Sequence, residues 1–401
     1  MGRAARPHRG VMVTAAPVAA PTATPARPAP GPRFAALRHL GPNWYAAVMG
    51  TAVVATAGAG LPVDVPGVRA GATAVWALSF LMLLALLAAR AVHLTHHRDQ
   101  ARAHLGDPAV APFYGCLAMA LLAVGGGTVV VGADWLGTTA AVAVDAVLFT
   151  AGTAVGLAAA VAVPYLMVVR HRVRPGSASP VWLLPVVAPM VSAALGPLLV
   201  PHLPAGQAQE ALLLGCLAMF GLSLLATLLM LPLIFGRLVH GGPLPLALTP
   251  TLFLVLGPLG QSTTAAGKFA DVAPGVLSAP YAEGFAVLAV LFGVPVMGFA
   301  LLWLALAAAL VLRARRRGMG FAMTWWAFTF PVGTCVTGAE ALGAHTGLAA
   351  YDWLAVALYV LLVSAWLVAL AGTARGLADG RLLASPRGAQ SPEPVARSAE
   401  H

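Results

Sequence analysis

The chain has 401 residues, 60 % of them hydrophobic and 9 % charged; soluble domains carry roughly 25 % charged residues, so a large soluble domain is excluded and the composition is that of a polytopic membrane protein. The formal net charge of +10 invites a nucleic-acid reading, but the placement of the charges argues for membrane topology and against a nucleic-acid partner. Cys116, Cys216 and Cys335 all fall in apolar segments without CxxC spacing, which reads as small buried hydrophobes and gives no metal site and no cofactor.

Residues 1–40 are rich in Ala, Pro and Arg and hold no acid, and the apolar run there is too short and too proline-broken for a signal-peptide core. A disordered cytosolic tail is expected over 1–40, a transmembrane domain over 41–376 and a second disordered cytosolic tail over 377–401. Ten apolar segments follow the first tail, at about 42–61, 71–92, 111–132, 138–166, 180–200, 209–236, 249–266, 285–312, 322–343 and 351–374. Each is long enough for a hydrocarbon core of about 30 Å, which takes about 20 helical residues.

The connections set the orientation. One side collects Arg90, Arg98 and Arg102, then Arg170, Arg172 and Arg174, then Arg237, then Arg313, Arg315, Arg316 and Arg317, together with the tail arginines. That side holds 21 basic residues, and the other holds Arg69 and Lys268 only. Such a split places both termini in the cytosol, and an even number of spans satisfies it. His93, His96, His97 and His104 crowd the first basic loop. Their spacing could ligate a metal, but no acid or cysteine completes a ligand pattern, and the loop reads as a solvated positive surface.

The odd-numbered segments resemble one another. They open at Pro42, Pro112, Pro180, Pro250 and Met323, at spacings of 70, 68, 70 and 73 residues. Proline in the first turn costs no hydrogen bond, and most of these starts place an aromatic two residues on, where Trp and Tyr favour the interface. Further in lie Pro185, Pro189, Pro258 and Pro331, with Gly50 at the comparable place in the first segment. The even segments are smoother and greasier. The economical arrangement is five helical hairpins with the odd helices inside, facing a central channel, and the even helices against the lipid bilayer.

The ninth segment shows why a channel is expected. Trp325–Glu340 carries Pro331, Gly333 and three threonines, whereas a plain anchor would be Leu, Val and Ala throughout. A proline inside a helix frees a carbonyl, which hydrocarbon tolerates only beside protein or a water-filled cavity. The pore-lining polar candidates of the odd segments are neutral: Thr51, Ser192, Gln261, Ser262, Thr334 and Thr337, with Asn43, Thr56, Thr263, Thr264 and Thr329 beside them. No nucleophile–base pair and no acidic cluster accompanies them, so no catalytic residue is assigned and no enzyme is expected. Asp145 and Glu340 are the intramembrane carboxylates, functional candidates by default or groups solvated by the outer vestibule. Lys268 is an outer-mouth charge or an ordinary loop lysine. Broken helices offer partial positive ends to a passing anion, and the arginine-rich inner face raises the local anion concentration.

Four stretches resemble the tellurite-resistance/dicarboxylate transporter family, which includes TehA-type proteins, fungal malate and sulfite transporters and the plant slow anion channels. They are Gly41–Tyr45 with Val48–Thr51, Trp182–Ala188, Pro250–Phe253 with Gly257–Gln261, and Trp325–Pro331. The likeness covers about 40–375. It implies an all-α membrane protein of ten transmembrane helices, arranged as five helical hairpins around a quasi-fivefold central pore with odd helices inside. It also implies a homotrimer with one pore per protomer, small anions as substrates, and a pore occluded by a phenylalanine of the ninth helix. That position falls on Phe330, with Phe328 as the fallback in register. The first segment departs from the pattern by lacking a central proline.

The leading expectation is an inner- or plasma-membrane anion channel or transporter. Inorganic anions, sulfite, C4-dicarboxylates such as malate or a tellurite-related species are the candidate substrates. The alternative within transport is a proton-coupled dicarboxylate carrier using Asp145 or Glu340. A non-transporting receptor or enzyme is the remaining class.

Overall fold

A computed structural model describes residues 37–382 except His39, Asp64, Pro175 and Arg381. Apart from their inner ends, the two expected tails lie outside the described residues. Among the described residues every regular element is helical. The α-helices are α1 (Tyr45–Gly60), α2 (Val68–His96), α3 (Arg98–Gly106), α4 (Tyr114–Gly127), α5 (Ala133–Leu136), α6 (Thr138–Val169), α7 (Leu183–Leu195), α8 (Gln207–Gly241), α9 (Leu256–Val272), α10 (Ala279–Arg316), α11 (Phe330–Thr346) and α12 (Ala349–Ala378).

Five helices share one way of starting. A 3₁₀ turn leads into each of α1, α4, α7, α9 and α11: Pro42–Trp44, Ala111–Phe113, Pro180–Trp182, Leu246–Val255 and Met323–Phe328. Three of these junctions have a proline just inside the α-helix: Pro185 and Pro258 third in α7 and α9, Pro331 second in α11. A proline there cannot donate to the carbonyl four residues back, and its ring crowds that carbonyl. The tighter 3₁₀ winding upstream, ten residues long before α9, is the local answer, although such runs rarely exceed three or four residues. The break at Pro331 therefore sits at the entry of α11 rather than at mid-helix. Gly50 lies inside the uninterrupted α1, where a Cβ would collide with the Thr329 hydroxyl.

Seven helical stretches among the described residues are long and apolar enough to cross a membrane: α2, Ala111–Leu136, α6, Pro180–Leu198, α8, α10 and α12. The apolar helices α1, α9 and α11 have 16, 17 and 17 residues. This is an integral membrane protein with an all-helical body.

The packing orders these helices. α1 contacts α4, α4 contacts α7, α7 contacts α9, α9 contacts α11, and α11 returns to α1. Against that closed circuit, α2 lies on α1 and α4, α6 on α4 and α7, α8 on α7 and α9, α10 on α9 and α11, and α12 on α11 and α1. Burial follows: 78 % and 83 % of the apolar windows around α4 and α7 are buried, against 22–28 % in α2, α6, α8, α10 and α12. The latter present Leu84, Val161, Leu229, Leu302 and Val360 outward, as side chains facing hydrocarbon do.

In hydrocarbon the hydrophobic effect does not drive helices together, so close backbone approach and buried hydrogen bonds hold the circuit. A Cβ on Gly260 of α9 would meet the Thr334 and Cys335 backbone of α11, and one on Gly267 would meet Ala341. Thr264 and Thr337 join the same two helices hydroxyl to hydroxyl at 2.7 Å. The outer helices donate inward. Trp303 Nε1 bonds the Leu252 carbonyl at 2.9 Å, Trp366 Nε1 the Thr51 hydroxyl at 3.1 Å, and Ser223 Oγ the Val186 carbonyl at 2.6 Å. Bonds of this kind contribute about 0.6 kcal/mol each in membrane proteins.

Candidate functional site

The circuit of α1, α4, α7, α9 and α11 encloses two cavities, and Phe330 is the residue common to both. The larger holds about 300 Å³ and receives side chains from all five helices: Val53, Thr56 and Gly60 of α1, Ala123 of α4, Val191, Ala194 and Leu195 of α7, Gln261, Thr264, Lys268 and Asp271 of α9, and Phe330, Thr337, Glu340, Ala341, Ala344 and His345 of α11. Val130 and Leu198 complete it. From Phe330 to His345 the wall runs about 22 Å at the helical rise of about 1.5 Å per residue. The smaller holds about 10 Å³, scarcely the room one water needs. Met49, Met119, Leu183, Leu184, Val187, Leu254, Gly257 and Pro331 surround it with apolar surface.

Phe330 is 4 % exposed and is the first residue of α11, so the Pro331 junction fixes where its ring is directed. Phe328 has another place. It sits in the preceding 3₁₀ turn, edge-on to Phe253 at 4.8 Å and to Trp325 at 5.7 Å between ring centres, and it borders neither cavity.

The charged residues gather at the other end of the large cavity. Lys268 Nζ lies 3.0 Å from Asp271 Oδ2, and His345 Nε2 lies 3.2 Å from Asp271 Oδ1 and 3.1 Å from the Gly267 carbonyl. The Lys268 and Asp271 side chains are 39 % and 43 % exposed, so this end reaches the surface and the pair contributes at most about 1 kcal/mol. Deeper in, Glu340 packs its carboxylate against Gly60, and its buried Oε1 has no hydrogen-bond partner.

The expected pore-lining polar residues divide. Gln261 and Thr337 line the large cavity. Thr51 bonds the Ala47 carbonyl at 2.7 Å and receives the Trp366 indole. Ser192 accepts from Thr153 of α6 at 2.9 Å. Ser262 bonds the Leu259 carbonyl at 2.9 Å and Thr334 the Pro331 carbonyl at 2.7 Å. These four satisfy backbone or outer helices and border neither cavity. Pro258 of the α9 junction and Pro189 inside α7 border neither cavity either, nor does Pro185, whereas Pro331 lines the small one. Asp145 of α6 is buried against Gly125 of α4, away from the cavity, with both oxygens unpartnered. Asp271 and His345 complete the charged end without having been singled out; the i,i+3 spacing of Lys268 and Asp271 was the available signal. Among the described residues no group of three His, Cys, Asp or Glu side chains could hold a metal.

A closed circuit of apolar helices around a divided lumen is the architecture of a membrane channel or transporter. The sequence pattern of the voltage-dependent anion channel (SLAC1) family matches residues 39–374, and the chain belongs to that family. It is 25 % identical to an uncharacterized transporter of Methanocaldococcus jannaschii, over 86 % of this chain and 96 % of that protein. It is 27 % identical to a sulfite efflux pump of Trichophyton rubrum, over 84 % of this chain and 91 % of that protein.

Proposed function

We propose that the protein passes small anions through a central pore gated by Phe330. The pore would be formed by ten transmembrane helices, arranged as five hairpins about a quasi-fivefold axis with α1, α4, α7, α9 and α11 inside. The observation that carries this reading is that Phe330 alone borders both cavities. Its ring stands between an aqueous-sized vestibule and an apolar neck, where bulk and dewetting both oppose a hydrated ion.

Anion preference follows from the backbone. The neck is bordered by the opening turns of α7, α9 and α11 and by Met49 and Met119 in the second turn of α1 and α4. Each helix N-terminus carries a partial positive charge, and together they favour an anion without any cationic side chain in the neck. Sulfite, other small inorganic anions and C4-dicarboxylates are the substrates in this reading, sulfite being supported by the efflux pump of Trichophyton rubrum. The positive-inside split supports a plasma-membrane setting with cytosolic termini, and the family supports a homotrimer. A proton-coupled carrier version could use Glu340, which faces the cavity, and not Asp145, which does not.

The test is flux in proteoliposomes with chloride, nitrate, sulfite, malate and tellurite, wild type beside Phe330→Ala. Anion flux that rises in the variant supports the gate. Unchanged flux in a folded variant removes it.

A further inference from the structure

α10 is longer than a bilayer is thick, and its far end gathers charge. Tyr281 in its first turn is 71 % exposed. From there to Arg313 the helix runs about 48 Å at about 1.5 Å per residue, close to the roughly 40–45 Å of a bilayer with its headgroups. Leu291, Leu302 and Arg313 follow one another at intervals of eleven residues. That interval is about three helical turns, so the three stand in one row. Leu291 and Leu302 are 72 % and 61 % exposed and point outward to lipid. Arg316 and Arg317 follow Arg313 at the i+3 and i+4 positions, which share its face. Three arginines thus continue the lipid-facing row where hydrocarbon gives way to headgroups.

Other arginines on this side of the molecule are occupied by the chain itself. Arg38 pairs with Asp99, Arg90 donates to the Tyr114 hydroxyl at 2.6 Å, and Arg237 donates to the Gly242 carbonyl at 2.6 Å. Arg315 donates to the Met319 carbonyl at 2.6 Å and lies over the Trp325 ring. Among the described residues no ion pair or side-chain hydrogen bond engages Arg313, Arg316 or Arg317, all of them exposed. A helix C-terminus favours cations in its last turn, but that does not decide which face they take. Arg315 is turned onto Trp325, and the other three are left on the lipid side.

The turn that presents them is closed by the backbone. Gly318 has a φ of 88° and Met319 is 2 % exposed. The Gly318 and Met319 amides donate to the Arg315 and Ala314 carbonyls, both at 3.0 Å, which is the double closure of a Schellman motif. The guanidinium groups are permanently charged, and their planar forks match phosphate oxygens in pairs.

We propose that Arg313, Arg316 and Arg317 bind the phosphate of an anionic phospholipid whose acyl chains lie along the Leu302 face of α10. Lipid held there is independent of what the pore carries.

In the test, the full chain purified in detergent is offered equal amounts of phosphatidylglycerol and phosphatidylcholine, and the lipid retained is read by native mass spectrometry. Wild type should retain phosphatidylglycerol in preference. Arg313→Gln, Arg316→Gln and Arg317→Gln should each weaken that preference, by up to about fivefold, the worth of one arginine beside an anionic headgroup. Thermal unfolding checks that each variant is folded, and three single variants leave the answer independent of any one of them. Arg170→Gln/Arg172→Gln/Arg174→Gln removes as much charge from an irregular stretch and should leave the preference almost unchanged. Equal retention of the two lipids by wild type overturns the proposal. A loss as large in the Arg170/Arg172/Arg174 variant also overturns it, because net charge alone would then attract the lipid. Displacement of phosphatidylglycerol by inorganic phosphate at the same concentration overturns it too, in favour of a soluble phosphate.

Discussion

Phe330→Ala separates a gating role from a packing role because only a gating ring, once removed, lets anion flux rise. Truncating an ordinary buried phenylalanine costs about 3–5 kcal/mol, since its neighbours lose contacts on every side. Phe330 borders a cavity of about 300 Å³ on one side and one of about 10 Å³ on the other, but it is only 4 % exposed, so most of its ring has packing partners to lose. The expected cost is therefore the usual range of about 3–5 kcal/mol, and the flux is what tells a gate from a packed ring. Phe269 is the control: it is 0 % exposed and edge-on to Phe220 and Phe285 at 5.9 and 5.5 Å. Phe269→Ala should cost the full 3–5 kcal/mol and gain no flux. Removing the Phe330 ring should raise anion flux at least tenfold, equivalent to about 1.4 kcal/mol off the barrier, with Leu, Val and Ala forming a graded series. Thermal unfolding in detergent and flux in proteoliposomes read the two quantities independently. A Phe330→Ala protein that loses as much stability as Phe269→Ala and conducts no better would show that the ring is merely packed.

Gly260→Val drives a branched side chain into the Thr334–Cys335 backbone and should cost about 3 kcal/mol, the upper end for overpacking; thermal unfolding reads it, with Gly257→Ala, which meets nothing, as the mild comparison. Asp145→Asn should leave the pH profile of anion uptake unchanged, because Asp145 lies off the cavity against Gly125; a shifted profile would return it to the transport path. In intact cells, Lys268→Cys should react with a membrane-impermeant maleimide added outside, whereas the buried Cys116, Cys216 and Cys335 should not; labelling only after lysis would invert the proposed topology.

Backbone constraints were legible in the sequence; side-chain directions were not. The repeat could be seen because proline acts on the backbone alone: Pro42, Pro112, Pro180 and Pro250 mark 3₁₀ entries whatever surrounds them, and the tryptophan-rich Met323 start follows suit. The same cue misplaced the Pro331 break, since a proline near the middle of an apolar run does not announce that the α-helix begins beside it. Which hydroxyls line the lumen could not be read. In a helix that is buried all round, as α1 and α11 are, apolar periodicity has no contrast to show a face. Thr51 and Thr56 sit five residues apart on α1, yet one is taken up by Trp366 of α12 and the other borders the cavity. Ser192 depends on Thr153, and Gly50 on Thr329, pairings across helices that no local pattern carries. Phe330 was reached through family resemblance, and the geometry that distinguishes it from Phe328 is the register of the Thr329 turn.

The division between neck and mouth has a measurable consequence. In the proposed pore the positive potential at the neck comes from helix N-termini, each worth about 0.3–1 kcal/mol to an adjacent anion, in a narrow apolar space where salt does not enter to screen it. At the mouth it comes from Lys268, which is paired with Asp271 at 3.0 Å and partly exposed to solvent. A single charge about 10 Å away in water is worth about 0.4 kcal/mol, roughly a twofold change in local anion concentration, and physiological salt screens it over about 8 Å. Lys268→Gln should therefore lower anion flux about twofold at low ionic strength and leave it almost unchanged at physiological salt. The anion-over-cation ratio, measured from the reversal potential across a salt gradient, should stay where it is at both. If the variant instead loses anion selectivity, the sign of the permeating ion is set by a side chain at the mouth, and the helix ends around Phe330 do not set it.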